Sequence, residues 1–492
     1  MKAIEGFSLT RGLGAVVLAA LCLAARLASA ATVNAVWNSA TDVPVTTNGY
    51  TATGNTVNFT LNFALATGTD LMVVSNTALG FIVGTFDNLA QGQAVALSYG
   101  GVTYRFVANY YGGSGSDLVL VWASNRAFAW GYNFYGELGD NSTTDRHAPV
   151  PVTSTGVLTG KTVVALAAGG NTDSGHSLAL CSDGTVVAWG DNEHGDLGDN
   201  TTTQHLVPVA VNTAAGVSAL HGKTVVAIAA GGYHSLALCS DGTVAAWGYD
   251  NYGQLGDNGT GYSTVPVAVD TASGSALFGK TVVAIGAGAH HSLALCSDGT
   301  LAAWGDNFDG QLGDNTTTQR NAPVAVNTNS GVSALYGKTV VAIAAGDDGL
   351  ALCSDGTLAA WGRNDHGQLG DNGIGYSTVP VAVNTAPLAA SQRFAGVFSG
   401  SMAYHSLALV AAPPASQIIL SGAQTLANGS FQFAFTNTPG AFFGVVGATN
   451  PALPLSNCTP LGDATEVSPG QFQVTDPQAT TNPNRFYRVR SP

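Results

Sequence analysis

Residues Trp247–Asn258 read WGYDNYGQLGDN, and the same frame recurs at four other places in the chain. It reads WGYNFYGELGDN from Trp130, WGDNEHGDLGDN from Trp189, WGDNFDGQLGDN from Trp304 and WGRNDHGQLGDN from Trp361, with Trp-to-Trp steps of 59, 58, 57 and 57 residues. A fixed period of this length marks a repeat architecture, in which one supersecondary unit buries its apolar face only against its neighbours.

The unit that begins at Lys223 runs KTVVAIAAGGYHSLALCSDGTVAAWGYDNYGQLGDNGTGYSTVPVAV. It holds four short strand candidates, TVVAIAAG, HSLALC, TVAAWG and VPVAV, each rich in Val, Ile, Leu and Ala and bounded by Gly, Asp or Asn. Ser-Asp-Gly-Thr between the second and third predicts a tight hairpin, because Gly supplies the positive φ such turns need. Four antiparallel strands at a fixed period predict the blades of a β-propeller. Small residues in the first strand let sheets converge on an axis, and Trp fills the wider space between blades.

The units resemble regulator of chromosome condensation repeats in their Gly-Gly-x-His-Ser, Leu-x-Leu-x-x-Asp-Gly, Trp-Gly-x-Asn and Gly-Gln-Leu-Gly elements, over about 285 residues. The resemblance implies a propeller, more often of seven blades. It also implies mixed activities: nuclear members are guanine nucleotide exchange factors on a small GTPase, and a secreted bacterial relative inhibits β-lactamases. Here the first unit begins only at AFAWG, from Ala127, and the last ends at HSLALV, His405 to Val410. The fragments complement each other, so residues 127–152 and 394–410 are expected to share one closing blade in a five-bladed ring. DLVLVWAS, from Asp117, competes with SLALV for that place.

The fold expected is therefore all-β: a propeller over 125–411 flanked by two small β domains. Residues 31–124 alternate in TVNFTLNF and GVTYRFVANYY, which argues half-buried strands, and are similar to β-rich passenger repeats of bacterial autotransporters. AAPPAS supplies a proline-bearing linker at 412–416. Residues 417–492, with SFQFAF and RFYRVR, suggest a β-sandwich and resemble immunoglobulin-like or fibronectin-like modules of exported bacterial proteins. Residues 1–30 carry Lys2 and Arg11, an apolar run GAVVLAALCLAA and then LASA, the order of a secretory signal peptide. That run is shorter than the roughly 20 residues needed to span a bilayer. A secreted or cell-surface protein with no transmembrane segment in the mature chain is expected.

Removing the leader leaves 13 basic and 29 acidic residues. This balance argues against nucleic acid, whose phosphates demand Lys and Arg, and favours a basic partner or divalent cations. Cys181, Cys239, Cys296 and Cys353 occupy one position of LALCSDGT. On matching strands of neighbouring sheets, ~10 Å apart, they are too distant to bridge and read as small buried residues.

No Gly-x-Ser-x-Gly, His-Glu-x-x-His or Cys-x-x-Cys occurs, and no cofactor or metal is expected. His176, His234, His291 and His405 begin matching strands, with Gly349 as the fourth-blade equivalent, and are expected to bond blade-edge carbonyls. Asp140, Asp199, Asp257, Asp314 and Asp371 are expected to cap turns.

Within the five frames Trp, Gly, Leu and Asp-Asn stay fixed, while 132, 134, 135, 137 and their counterparts vary. A rigid frame that displays varied aromatic and charged side chains is how repeat proteins build recognition surfaces. Tyr132, Phe134, Tyr135, Tyr249, Tyr252, Phe308 and Arg363 are the candidate ligand-binding residues, for a protein or a surface glycan. The expected function is non-enzymatic binding. A carbohydrate-active enzyme on a propeller scaffold and a structural cell-surface spacer are the alternatives.

Overall fold

The computed structural model describes residues 30–411, save 124, 172, 173, 390 and 391, together with 421–428, 430–436, 444–448, 459–468, 471–476 and 486–490. The expected leader at 1–30, but for Ala30, and the 412–416 linker lie outside the described residues, as does Cys458.

Four repeats fold as four-stranded antiparallel sheets, each paired in chain order. The second of these blades is Val225–Ala230, His234–Cys239, Val244–Tyr249 and Tyr262–Ala268. The first strands of successive blades lie against one another and line the axis. Their far ends are joined in a circle: Gly170 N donates to Gly231 O at 3.0 Å, Gly232 N to Ala289 O at 3.2 Å, and Ala289 N to Gly346 O at 3.2 Å. Ser401 Oγ returns to Gly170 O at 3.4 Å. At Gly232 even a Cβ would stand 2.6 Å from Ala289 O of the next loop.

Each blade grips the one before it through its tryptophan. Trp189, Trp247, Trp304 and Trp361 are buried, and their indole N–H groups donate to Glu137 O, Asp196 O, Gln254 O and Gln311 O at 2.7–2.9 Å. The glycine of Leu-Gly-Asp-Asn makes room for that indole. Gly139, Gly198, Gly256 and Gly313 sit at φ 61–69°, where a Cβ would stand 2.6–2.9 Å from the next tryptophan. The Asn that ends the motif also holds positive φ in all five copies, a conformation Asn tolerates better than most residues.

The histidines and cysteines fill the same frame. The four cysteines are buried and free, as expected. His176 Nε2 and His234 Nε2 meet Ser235 Oγ and Ser292 Oγ of the following blade at 2.9 Å, and each hydroxyl donates onward to a backbone carbonyl. The expectation of a direct bond to a carbonyl is thus corrected: a serine intervenes. Register also moves the fourth-blade equivalent from Gly349 to Asp348, which pairs with Gly362 as His234 pairs with Gly248. Gly349 stands at the serine position, so buried His291 Nε2 has no partner among the described residues.

The closing blade differs from expectation. Phe128–Gly131 pairs with Arg146–Pro151, and Arg393–Phe398 with Leu407–Ala411, but these remain two separate two-stranded sheets. The ring is completed at its axis by Ser401 and left open farther out. Asp117–Trp122 does not compete for the gap, because it pairs with Leu71–Asn76 and Val102–Gly112 in the N-terminal sheet. Ala123 N bonds Arg105 O and Thr162 Oγ1 bonds Ala123 O, which tethers the chain just before Phe128.

The N-terminal residues form a five-stranded sheet and a parallel pair, Thr32–Trp37 with Thr56–Leu61, around Trp37, Leu71, Phe86, Phe106 and Tyr110. This unit packs on the ring. Leu79, Phe81 and Tyr111 join the apolar clusters between blades, beside Val226, Val283 and Ala284 at the starts of the axial strands. Gln91 Nε2 donates to Ser182 O in a Ser-Asp-Gly hairpin at 3.0 Å. The N-terminal unit therefore covers the hairpin side of the ring, and the side bearing the Trp-Gly loops is left free of it. In the C-terminal residues a four-stranded and a three-stranded sheet share a core of Phe433, Phe435, Val445, Phe472 and Val474.

Candidate functional site

Each Trp-Gly loop is a rigid platform. Asn133, Asn192, Asn307 and Asn364 accept a bond from the Leu N–H five residues on, at 2.9–3.0 Å, and donate through Nδ2 to the Asp of Leu-Gly-Asp-Asn. That Asp caps its own turn: Asp140 Oδ1 accepts Ser142 N at 3.1 Å, and Asp314 Oδ1 accepts Thr316 N at 3.0 Å. Asp140 and Asp314 also pair with Arg146 and Arg320, at 2.6 and 3.0 Å. With every backbone turn tied down, the variable side chains between the fixed positions stand on the free side of the ring.

The second blade breaks the pattern at one atom pair. Asp250 takes the place of the Asn; its Oδ1 accepts Leu255 N at 2.7 Å, but a carboxylate has no N–H to give Asp257. Burial pushes the Asp250 carboxyl up to about 7, and the nearby Asp257 charge adds to the shift.

The loops bring Tyr249, Tyr252 and Phe308 together, as expected. Tyr249 and Tyr252 lie 6.1 Å apart between ring centroids, and Tyr252 meets Phe308 edge-on at 6.2 Å. Three rings that were not among the named candidates complete the strip. His290 lies 5.0 Å from Tyr252, Tyr233 stacks on His290 at 5.6 Å, and His194 meets Tyr249 at 4.9 Å and Tyr233 at 5.8 Å. Most of these rings are half-buried, and Phe308 is 65% exposed. Tyr233 and His290 share one sequence position, immediately before the histidine of Gly-Gly-x-His-Ser. Its occupants are Gly175, Tyr233, His290, Asp347 and Tyr404, a variability as telling as that of the Trp-Gly loop.

Tyr132, Phe134 and Tyr135 form a second group, with Phe134 6.5 Å from Tyr132 and 5.0 Å from Tyr135. Arg363 belongs to neither. Its guanidinium meets Asp365 through Nε at 3.0 Å and Nη2 at 2.9 Å, reaches Asp347 at 3.1 Å, and lies 5.0 Å from the centroid of Tyr404. Asp365 is held down to about 2, chiefly by its hydrogen bond to Arg363.

Carboxylates surround the aromatic strip. Burial raises Glu137 and Asp306, and neighbouring charges raise them further: Asp191 and Asp145 act on the former, Asp309 and Asp347 on the latter. On the hairpin side, by contrast, Lys161, Lys223, Lys280 and Lys338 each pair with an aspartate. The strip can offer flat apolar contact and negative potential, while the frame fixes its shape.

Residues 89–408 match the family model described as an RCC1-like domain. Human E3 ubiquitin-protein ligase HERC2 is 33% identical over 260 residues, 52% of this chain and 5% of that protein. Human HERC6, a probable E3 ubiquitin-protein ligase, is 32% identical over 294 residues, covering 59% and 26%. The ultraviolet-B receptor UVR8 of Arabidopsis thaliana is 30% identical over 260 residues, covering 52% and 53%. The chain therefore spans from a twentieth to about half of the length of these relatives. Among solved structures, human WBSCR16 aligns at TM-score 0.48 and 21% identity, over 68% of this chain and 74% of that one. Yeast RCC1 (Prp20) bound to Kap60 aligns at 0.46 and 22%, over 70% of each. The ligase names overturn the expectation that the chain is not an enzyme, because repeats of this kind occur within proteins named as ubiquitin ligases and so give no ground for excluding catalysis.

Proposed function

The chain belongs to the RCC1-like domain family, and on that premise we propose that the free side of its ring is a protein-docking surface. The observation that carries this reading is the continuous strip of His194, Tyr233, Tyr249, Tyr252, His290 and Phe308, which spans three blades on the side that the N-terminal unit leaves uncovered. Tyrosine gives large contact area at low entropy cost and dominates protein interfaces. His194, Tyr249, Tyr252 and Phe308 stand on Trp-Gly loops with capped turns, so little ordering entropy is lost when a partner arrives. Holding a protein serves an enzyme as readily as it serves an assembly factor, and the docking reading accommodates either.

The test is affinity capture with the full chain beside a Tyr249→Ala/Tyr252→Ala/Phe308→Ala variant, with contacts mapped by cross-linking. Loss of each buried aromatic anchor is expected to weaken a partner by about 2 kcal/mol, roughly 30-fold. A partner cross-linked to these loops and released by the variant supports the reading. Undiminished capture by a folded variant overturns it.

A further inference from the structure

Arg363 shows what this side of the ring accepts. One guanidinium satisfies two carboxylates, Asp365 and Asp347, and covers the ring of Tyr404, the combination of bidentate pairing and cation–π contact that favours arginine. Two of the other blades place a carboxylate next to a residue of the strip without a resident cation. Asp309 stands beside Phe308, on the loop whose ring meets Tyr252. Glu193 stands beside His194, whose ring meets Tyr233 and Tyr249. Neither carboxylate has a hydrogen-bond or ion-pair partner among the described residues, and Glu193 is exposed.

The surrounding charge points the same way. Glu137, Asp191 and Asp306 add to the negative potential, and the one arginine of the variable positions is already neutralised by its own partners. Two acidic groups are moreover partly orphaned: Asp196 is 2% exposed and its Oδ1 has no partner, and Glu137 Oε1 is likewise unpaired.

We propose that Glu193 and Asp309, each set beside an aromatic strip residue, are seats for the cationic side chains of a Lys/Arg-rich protein segment that docks from the first blade across the second to the third. This deepens the docking reading and rests on it. Aromatic rings supply contact area, and the two carboxylates choose a basic partner over a neutral one.

The probe is a decapeptide of alternating Arg and Gly, compared with the same peptide carrying citrulline, a neutral isostere, in place of Arg. Binding to the full chain is measured by fluorescence anisotropy. The Arg peptide is expected to bind, and to weaken at least about tenfold as salt rises from about 0.05 to 0.3 M. Glu193→Gln/Asp309→Asn is expected to weaken it by about tenfold or more. Because these carboxylates bond nothing among the described residues, the variant should melt with the wild type. Equal binding of the citrulline peptide, or wild-type binding by a folded Glu193→Gln/Asp309→Asn variant, overturns the proposal. If that variant keeps a captured protein that Tyr249→Ala/Tyr252→Ala/Phe308→Ala loses, docking stands and only the basic partner falls. If neither variant loses it, both readings fall.

Discussion

Asp250 is a residue at which the repeat works against itself. Four blades use Asn there, as donor and acceptor at once, whereas Asp250 sets one carboxylate near another. Its pKa is raised to about 7, so the folded chain holds a proton that the unfolded chain, titrating near 3.8, releases. Above pH 7 the buried charge costs stability in full, and the cost fades as pH falls from 7 toward 4. Asp250→Asn should therefore stabilise by about 1–2 kcal/mol at pH 8 and by progressively less on acidification, as read from denaturant melts at several pH values. A gain that does not depend on pH would mean that the carboxyl titrates alike in the folded and the unfolded chain. At this scale the sequence reveals the frame better than the exceptions. Tyr249, Tyr252 and Phe308 were legible because they interrupt a repeated motif. Tyr233 and His290 were not, because they precede a histidine whose regularity draws attention from its neighbour. Arg363 looked available only because Asp347 and Tyr404, which bind it, lie in other parts of the sequence.

At the scale of strands, the four complete blades were legible from period and hairpin signals alone, because each pairs with its own sequence neighbours. The seam was not legible, since it depends on pairing between segments some 280 residues apart and on a tether in a third segment. It leaves exposed apolar groups on both lips: Phe128 and Trp130 are 51% and 63% exposed, and Leu407 and Leu409 are each 60% exposed. A cleft of ≈ 420 Å³ opens beside the first lip, lined by Phe128, Trp130, Leu166 and Trp189. Unpaired apolar edges favour association with other chains. Leu407→Lys/Leu409→Lys should leave the melting free energy within about 0.5 kcal/mol and reduce self-association in light scattering. A loss of several kcal/mol would instead show that these leucines are buried in solution against Phe128–Gly131.

On the scale of the whole molecule, the ring and the N-terminal unit share apolar contacts. Phe81 packs edge-on against Tyr111 at 5.3 Å, and both rings enter the cluster between the second and third blades. Phe81→Ala should cost about 1–2 kcal/mol and separate one calorimetric transition into two, as the units lose their coupling. A single transition with an unchanged midpoint would mean that the contact adds no cooperativity. The sequence foretold two different β-rich units here but not their docking, because Leu79, Phe81 and Tyr111 are ordinary apolar residues until their partners are known.

That docking makes the molecule directional. A ring sealed at one mouth has lost its symmetry, and a support gripping residues 30–122 would lift the tyrosine strip outward like a dish on a stalk. The stalk sets the bearing, and the blades need only hold still.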